Sequence, residues 1–172
     1  DVEYGFVNTA FLISYALMFT VGGRLMDTWG SKVGLALAVG IWSVACGLHG
    51  VMNSFYQLVA FRFLLGLGEG ACFPGAAKTV YEWFDEKTRG LANGIAIGGA
   101  AIGAVIAPPL IILISRHLGW RWSFIIPALI GIVWLAVWLY IPWGENSHAN
   151  KNQGSNKQSA IPFLIILKNR AA

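Results

Sequence analysis

Long apolar runs dominate this chain, and its polar positions fall between them. Crossing the hydrocarbon core of a bilayer as a helix takes about 20 consecutive apolar residues. Five stretches qualify: 6–25, 33–52, 57–81, 90–115 and 122–141. The second carries no charge, whereas the third holds Arg62, Glu69 and Lys78. The joining segments are short, with glycine or charge at the turns. The pattern predicts an all-α membrane protein with five transmembrane helices. Beyond Gly144 it changes: 144–160 is rich in Asn, Ser and Gln and reads as a flexible loop. The apolar stretch 161–167 is too short to span, which predicts a segment lying along the interface. The chain begins at Asp1 rather than Met and stops at Ala172 without a terminating element, so it is expected to be cut at both ends.

Composition supports a membrane setting. Hydrophobic residues make up 56% of the 172 and charged residues 12%, against about 25% charged in a soluble domain. Mean hydropathy is +0.62, more apolar side chain than a soluble core of this size can hide. The 21 glycines and 8 tryptophans suit packed membrane helices, with glycine inside the bundle and tryptophan at its interfaces. Cys46 and Cys72 lie in apolar runs and read as small buried residues, with no spacing for a metal site or a disulfide framework. No cleavable signal peptide is evident.

The net charge of +4 would fit nucleic acid, but the positions of the charges exclude that reading. One set of alternate loops holds Arg24, Lys32, Lys78, Lys87, Arg89, Lys151, Lys157, Lys168 and Arg170; the opposite set holds Arg116 and Arg121. Positive residues mark the cytoplasmic side, which puts Asp1 outside and the polar tail inside. Trp120 and Trp122 mark one interface, with Trp29, Trp83 and Trp143 at the other.

The third span concentrates the chemistry. Arg62 and Glu69 are two helical turns apart, roughly 10 Å, and share a face to within about 20°. Both charges are costly in hydrocarbon, so they must face the bundle interior or a water-filled cavity. The bland alternative is a structural ion pair or an arginine that snorkels to the surface. Gly66, Gly68 and Gly70 allow close approach by neighbours, and Pro74 predicts a kink. Lys78 lies on the opposite face near the cytoplasm and reads as a snorkelling anchor. His49, at the outer end of its span, reads as an interfacial histidine, with a proton relay as the alternative. His117 and His148 have no assigned role. In the fourth span Gly90, Gly94 and Gly98 repeat every four residues, and Gly99 pairs with Gly103. This predicts small-residue packing, either static or as a sliding contact.

The loop Gly23-Arg24-Leu25-Met26-Asp27-Thr28-Trp29-Gly30-Ser31-Lys32 resembles the signature between the second and third helices of the major facilitator superfamily, G-x-L-x-D-R-x-G-R-K. Gly23, Leu25, Asp27, Gly30 and Lys32 match; Thr28 and Ser31 stand where basic residues are usual. The resemblance implies that the five spans are the second to sixth of twelve helices. Residues 1–143 would then be a partial N-terminal six-helix bundle, and 144–172 a cytoplasmic inter-domain loop cut before the seventh helix. It also implies a cytoplasmic gate built from Gly23, Asp27, Gly30, Lys32 and Arg89, with Arg89 as the basic partner of Asp27.

The Arg62-to-Glu69 spacing, followed by Cys72-Phe73-Pro74-Gly75, is similar to the anion:cation symporter family, as are 81–92, Ile106-Ala107-Pro108-Pro109-Leu110 and Trp120-Arg121-Trp122-Ser123-Phe124. The resemblance implies proton-coupled symport of a small organic anion such as a hexuronate or other sugar acid. Arg62 would contact the substrate and Glu69 would couple the proton. Tyr15 matches a tyrosine that contacts the sugar acid, or is a helix-packing aromatic. The family carries further charges in its first helix, which this chain lacks. Ala100 stands where some members have Gln or Ser, which leaves the sugar acid open. The late position of Pro108 and Pro109 favours symport over drug export.

These readings imply a multi-pass protein of a bacterial inner membrane, monomeric at full length. Its partners would be an organic anion, a proton and the lipid bilayer, with no cofactor, metal or nucleic acid. Rival readings are an exporter of other small molecules and a non-transporting membrane scaffold. An enzyme is disfavoured because no nucleophile–base pair or metal cluster is evident.

Overall fold

The computed structural model describes residues 2–142; Asp1, Trp143, the polar stretch 144–160, the short segment 161–167 and the basic residues beyond it lie outside the described residues. Four α-helices follow one another: α1 (Val2–His49), α2 (Phe55–Trp83), α3 (Glu86–Leu118) and α4 (Trp122–Tyr140). All four are long and apolar enough to cross a membrane. The sequence divides the first of them into two spans, and the difference from the five expected lies at Gly30.

α1 is not straight. Gly30 has φ 78° and ψ 157°, a conformation that strains any residue with a Cβ. A continuous helix would hold Met26 and Gly34 about 12 Å apart. Instead, a Cβ added at Gly34 would lie 3.5 Å from the Met26 Cα and collide with its sulfur. The helix therefore folds back at Gly30 into two limbs, 2–29 and 31–49. Met26, 1% exposed, fills the corner, where its methyl group also meets Gly75 of α2.

α2 is wedged between the two limbs. A Cβ at Gly66 or Gly70 would strike the 2–29 limb, at the Phe11 carbonyl and the Tyr15 carbonyl respectively, each at 2.5 Å. A Cβ at Gly68 would strike the other limb, at the Trp42 nitrogen (2.5 Å) and the Ala38 carbonyl (2.8 Å). Positions four apart share a helix face and positions two apart oppose each other, so this spacing leaves α2 thin on both sides. Its start is fixed by Ser54, whose hydroxyl accepts from Gln57 N (3.3 Å), while Gln57 Oε1 accepts from Asn53 N (2.8 Å), close to a capping box. α2 continues as one helix through Pro74.

α4 runs antiparallel to the 31–49 limb. Near one end the Cys46 thiol donates to the Phe124 carbonyl (3.4 Å), and near the other Trp138 Nε1 donates to the Lys32 carbonyl (3.0 Å). Gly131 sits on Ser43 and Trp42 between them. α3 is held far more lightly. Ile114 is its one buried residue, and Ser123 Oγ donates to the Ile111 carbonyl at 3.5 Å. Gly119, with φ 93°, ends α3 and allows the turn into α4.

Candidate functional site

Arg62 and Glu69, the charged pair of the third predicted span, both lie on α2. Glu69 borders a cavity of about 400 Å³ lined by Val39, Trp42, Cys72, Ile130, Gly131 and Trp134. The cavity thus lies between α2, the 31–49 limb and α4. Arg62 is within electrostatic reach of Glu69. Its Nε–H is buried and has no hydrogen-bond partner among the described residues. The guanidinium so keeps one buried donor unspent, of the kind that recognises a carboxylate. Tyr15 comes to α2 from the 2–29 limb because Gly70 admits its backbone, and Tyr15 is also within electrostatic reach of Glu69. Its ring extends an aromatic row with Phe11 (5.7 Å) and Phe19 (6.2 Å).

His49, at the end of the 31–49 limb, is enclosed by neighbouring helices. It is 1% exposed, with its ring stacked on Phe124 of α4 (5.3 Å) and tilted against Phe61 of α2 (5.9 Å). Nδ1 lies 2.7 Å from the Ala45 carbonyl, and Nε2 is buried without a partner among the described residues. The packing of α4 over the end of the limb buries it, and no pattern within one span signals that.

A second polar cluster lies at the Gly30 end. Lys78 Nζ pairs with Asp27 at 2.5 Å and with Glu82 at 3.9 Å. Ser31, 2% exposed, donates to Glu82. The partner of Asp27 is thus Lys78, not Arg89. Arg89 instead donates to the carbonyls of Phe84 and Tyr81 (both 3.0 Å) and lies over the Tyr81 ring (3.9 Å), covering the C-terminal end of α2. Lys78 is no simple anchor, because it bridges carboxylates from two helices. Ser31 stands at a usually basic position and reaches Glu82 as a neutral donor, while Lys78 supplies the charge.

The remaining motif residues take separate roles. Gly30 makes the fold-back. Lys32 Nζ donates to the Ile141 carbonyl (3.2 Å), tying the turn to the end of α4. Gly23 has open space around it, and the close approach falls one residue earlier: a Cβ at Gly22 would lie 3.3 Å from Ala71 Cα and from Pro74 Cγ. Sequence reasoning passed over Lys78, Glu82 and Ser31 as a group. The available signal was the Lys78–Glu82 spacing of four, which puts both on one helix face.

The hexuronate transporter of Escherichia coli is 34% identical over 137 residues, covering 80% of this chain and 32% of that protein. The galacturonate transporter of Dickeya chrysanthemi is 33% identical over 138 residues, covering 80% and 40%. A D-galactonate transporter from another Escherichia coli strain is 34% identical over 139 residues, covering 81% and 32%. The chain therefore spans about a third of the length of these relatives. The profile of the Major Facilitator Superfamily matches residues 1–172, and with the folded-back, wedged helices described above, the chain belongs to that superfamily of membrane transporters.

Proposed function

We propose that this chain is part of a proton-coupled symporter that imports a small organic anion, a hexuronate or related sugar acid, across a bacterial inner membrane. In this reading the two limbs of α1 and helices α2 to α4 are the second to sixth of twelve spans, and 144–172 is a cytoplasmic loop leading toward a second half. The whole protein works as a monomer. Arg62 carries the proposal: it is half-buried, its Nε–H is buried without a partner among the described residues, and it lies on the helix face that also presents Glu69, in a chain whose relatives carry sugar acids. A buried cation repels cationic cargo, which disfavours an exporter of cationic compounds.

The coupling follows from two charges that need not touch. A carboxylate pairing with Arg62 reduces the positive field at Glu69, so Glu69 accepts a proton more readily. By linkage, protonation of Glu69 favours anion binding by the same factor. Neutralising both groups lowers the cost of closing protein around them. Tyr15 lines the same region as a substrate contact. Around Gly23, Asp27, Gly30, Lys32 and Arg89, the Asp27–Lys78–Glu82–Ser31 cluster acts as the cytoplasmic latch.

The test is uptake of labelled glucuronate by the complete transporter in proteoliposomes under an inward proton gradient. Uptake should collapse with an uncoupler and fall at least about a hundredfold in Arg62→Ala, since the substrate loses its charged partner. Gradient-independent uptake would reject proton coupling. Silence across hexuronates, aldonates and aldarates would reject the anion assignment.

A further inference from the structure

The 31–49 limb presents two different faces to its surroundings. Val39 and Trp42 border the Glu69 cavity. On another face lies an open apolar groove of about 580 Å³, which follows positions 33 to 45 and is flanked by α4 and by Leu64 of α2. Its sides are exposed: Leu37 46%, Val44 58% and Leu139 of α4 51%. Gly40 leaves it deep, since a Cβ added there would reach only Leu135, at 3.6 Å. The twelve-residue rise is about 18 Å, close to one leaflet, half of the roughly 30 Å hydrocarbon core. Spread over that length, the volume gives a section of about 30 Å². A helix about 10–12 Å across needs roughly 80 Å² or more, so a single hydrocarbon chain fits and a helix does not.

Charge marks one mouth of the groove. Lys32 precedes Val33, and its Nζ crosses to the Ile141 carbonyl at the end of α4 (3.2 Å). Trp138 Nε1 donates to the Lys32 carbonyl (3.0 Å). These two bonds hold the ammonium at the end of the groove that Val33 and Leu139 line. An ammonium has three donors, so two remain. The ion pairs among the described residues both run through Lys78, so none of those carboxylates neutralises Lys32. The part of this chain beyond Pro142 carries four basic residues and one acidic one, a charge that opposes Lys32. We propose that the groove holds one acyl chain of an anionic phospholipid, with the phosphate against Lys32 and the chain running past Gly40 toward Ala45. Apolar burial seats the chain, and the ammonium selects the headgroup. The site is separate from Arg62 and Glu69 and stands whether or not a sugar acid is carried.

The test places the complete transporter in nanodiscs that contain phosphatidylglycerol with a photoactivatable diazirine in its chain, or phosphatidylcholine with the same chain. After irradiation the labelled peptides are mapped by mass spectrometry. The glycerol lipid should label 33–45 and the end of α4 about fivefold more than the choline lipid, the worth of one lysine near an anionic headgroup. Lys32→Gln keeps a donor for the Ile141 carbonyl without the charge and should bring the two lipids to parity. Gly40→Leu should fill the groove and cut labelling there by both lipids, while melting like wild type. If it melts early, the wild-type comparison and Lys32→Gln decide. Equal labelling of the wild type by both lipids makes the groove ordinary bilayer contact and overturns the headgroup assignment. No labelling by either means that another segment of the complete protein covers the groove, which overturns the site. Undiminished labelling of a folded Gly40→Leu places the chain elsewhere and overturns it as well.

Discussion

α2 and α3 are both rich in glycine, yet they use it in opposite ways. At Gly66, Gly68, Gly70 and Gly75 of α2, an added Cβ would meet a neighbouring segment at once; at Gly90, Gly94, Gly98, Gly99 and Gly103 of α3 it would meet nothing within 4 Å. In α2 the glycines alternate between two partners and allow it to pass between the limbs of α1. In α3 they form a continuous thin stripe beside exposed Ile95 (68%) and Val105 (75%). A small-residue repeat therefore only permits close packing; what uses it is the chain that arrives. The charges follow the same division. Lys78 of α2 bridges Asp27 and Glu82, and the two ion pairs among the described residues both run through it.

The sharpest way to break this comparison is to thicken α2 where it is thinnest. Gly68→Val puts a branched side chain against the backbone of Ala38 and Trp42, atoms that cannot rotate aside. Overpacking of this kind costs about 1–3 kcal/mol or more, so the variant should unfold well below wild type when melted in detergent. Gly34→Ala is the internal control, because its collision is with the flexible end of Met26 and should be much milder. Equal melting of Gly68→Val and wild type would mean that α2 is not wedged between the limbs.

Much of this was legible in the sequence. Apolar run lengths located α2, α3 and α4 to within about four residues and divided α1 near its kink at Gly30. Gly30 was recognisable as part of a turn motif, although its geometry as a fold-back emerges only from the Met26–Gly34 contact. Pairings between segments were less legible. Lys78 looked like an isolated cation because Asp27, far away in sequence, gives no sign of its proximity. The enclosure of His49 was not legible because a position at the end of a span does not reveal what packs over it. The glycines of α2 and α3 read alike because a pattern within one helix carries no information about its partner.

The Gly30 end offers a second, smaller test. Lys78→Met leaves Asp27 and Glu82 without their shared cation and should destabilise the protein by about 1 kcal/mol, since Asp27 is largely solvated. Lys87→Met, at the exposed start of α3, should change stability by less than about 0.5 kcal/mol. Lys78→Arg, which keeps a cation between Asp27 and Glu82, should retain most of the stability. A Lys78→Arg variant no better than Lys78→Met would show that the ammonium position, not the charge count, holds the cluster together.

The smallest effect is expected in α3, and its sign is informative. Gly98→Ala adds a methyl group to open space and removes the conformational cost of a glycine inside a helix, up to about 1 kcal/mol. In this chain alone the variant should melt at or slightly above wild type. In the complete transporter the proposed fold brings further helices to the bundle, and a helix seated on the stripe would reverse the sign, making Gly98→Ala destabilising there. If the variant is harmless in both settings, the α3 stripe faces lipid. If it is harmful only in the complete protein, the stripe is a surface for helices beyond this chain, as α2 is for the helices within it.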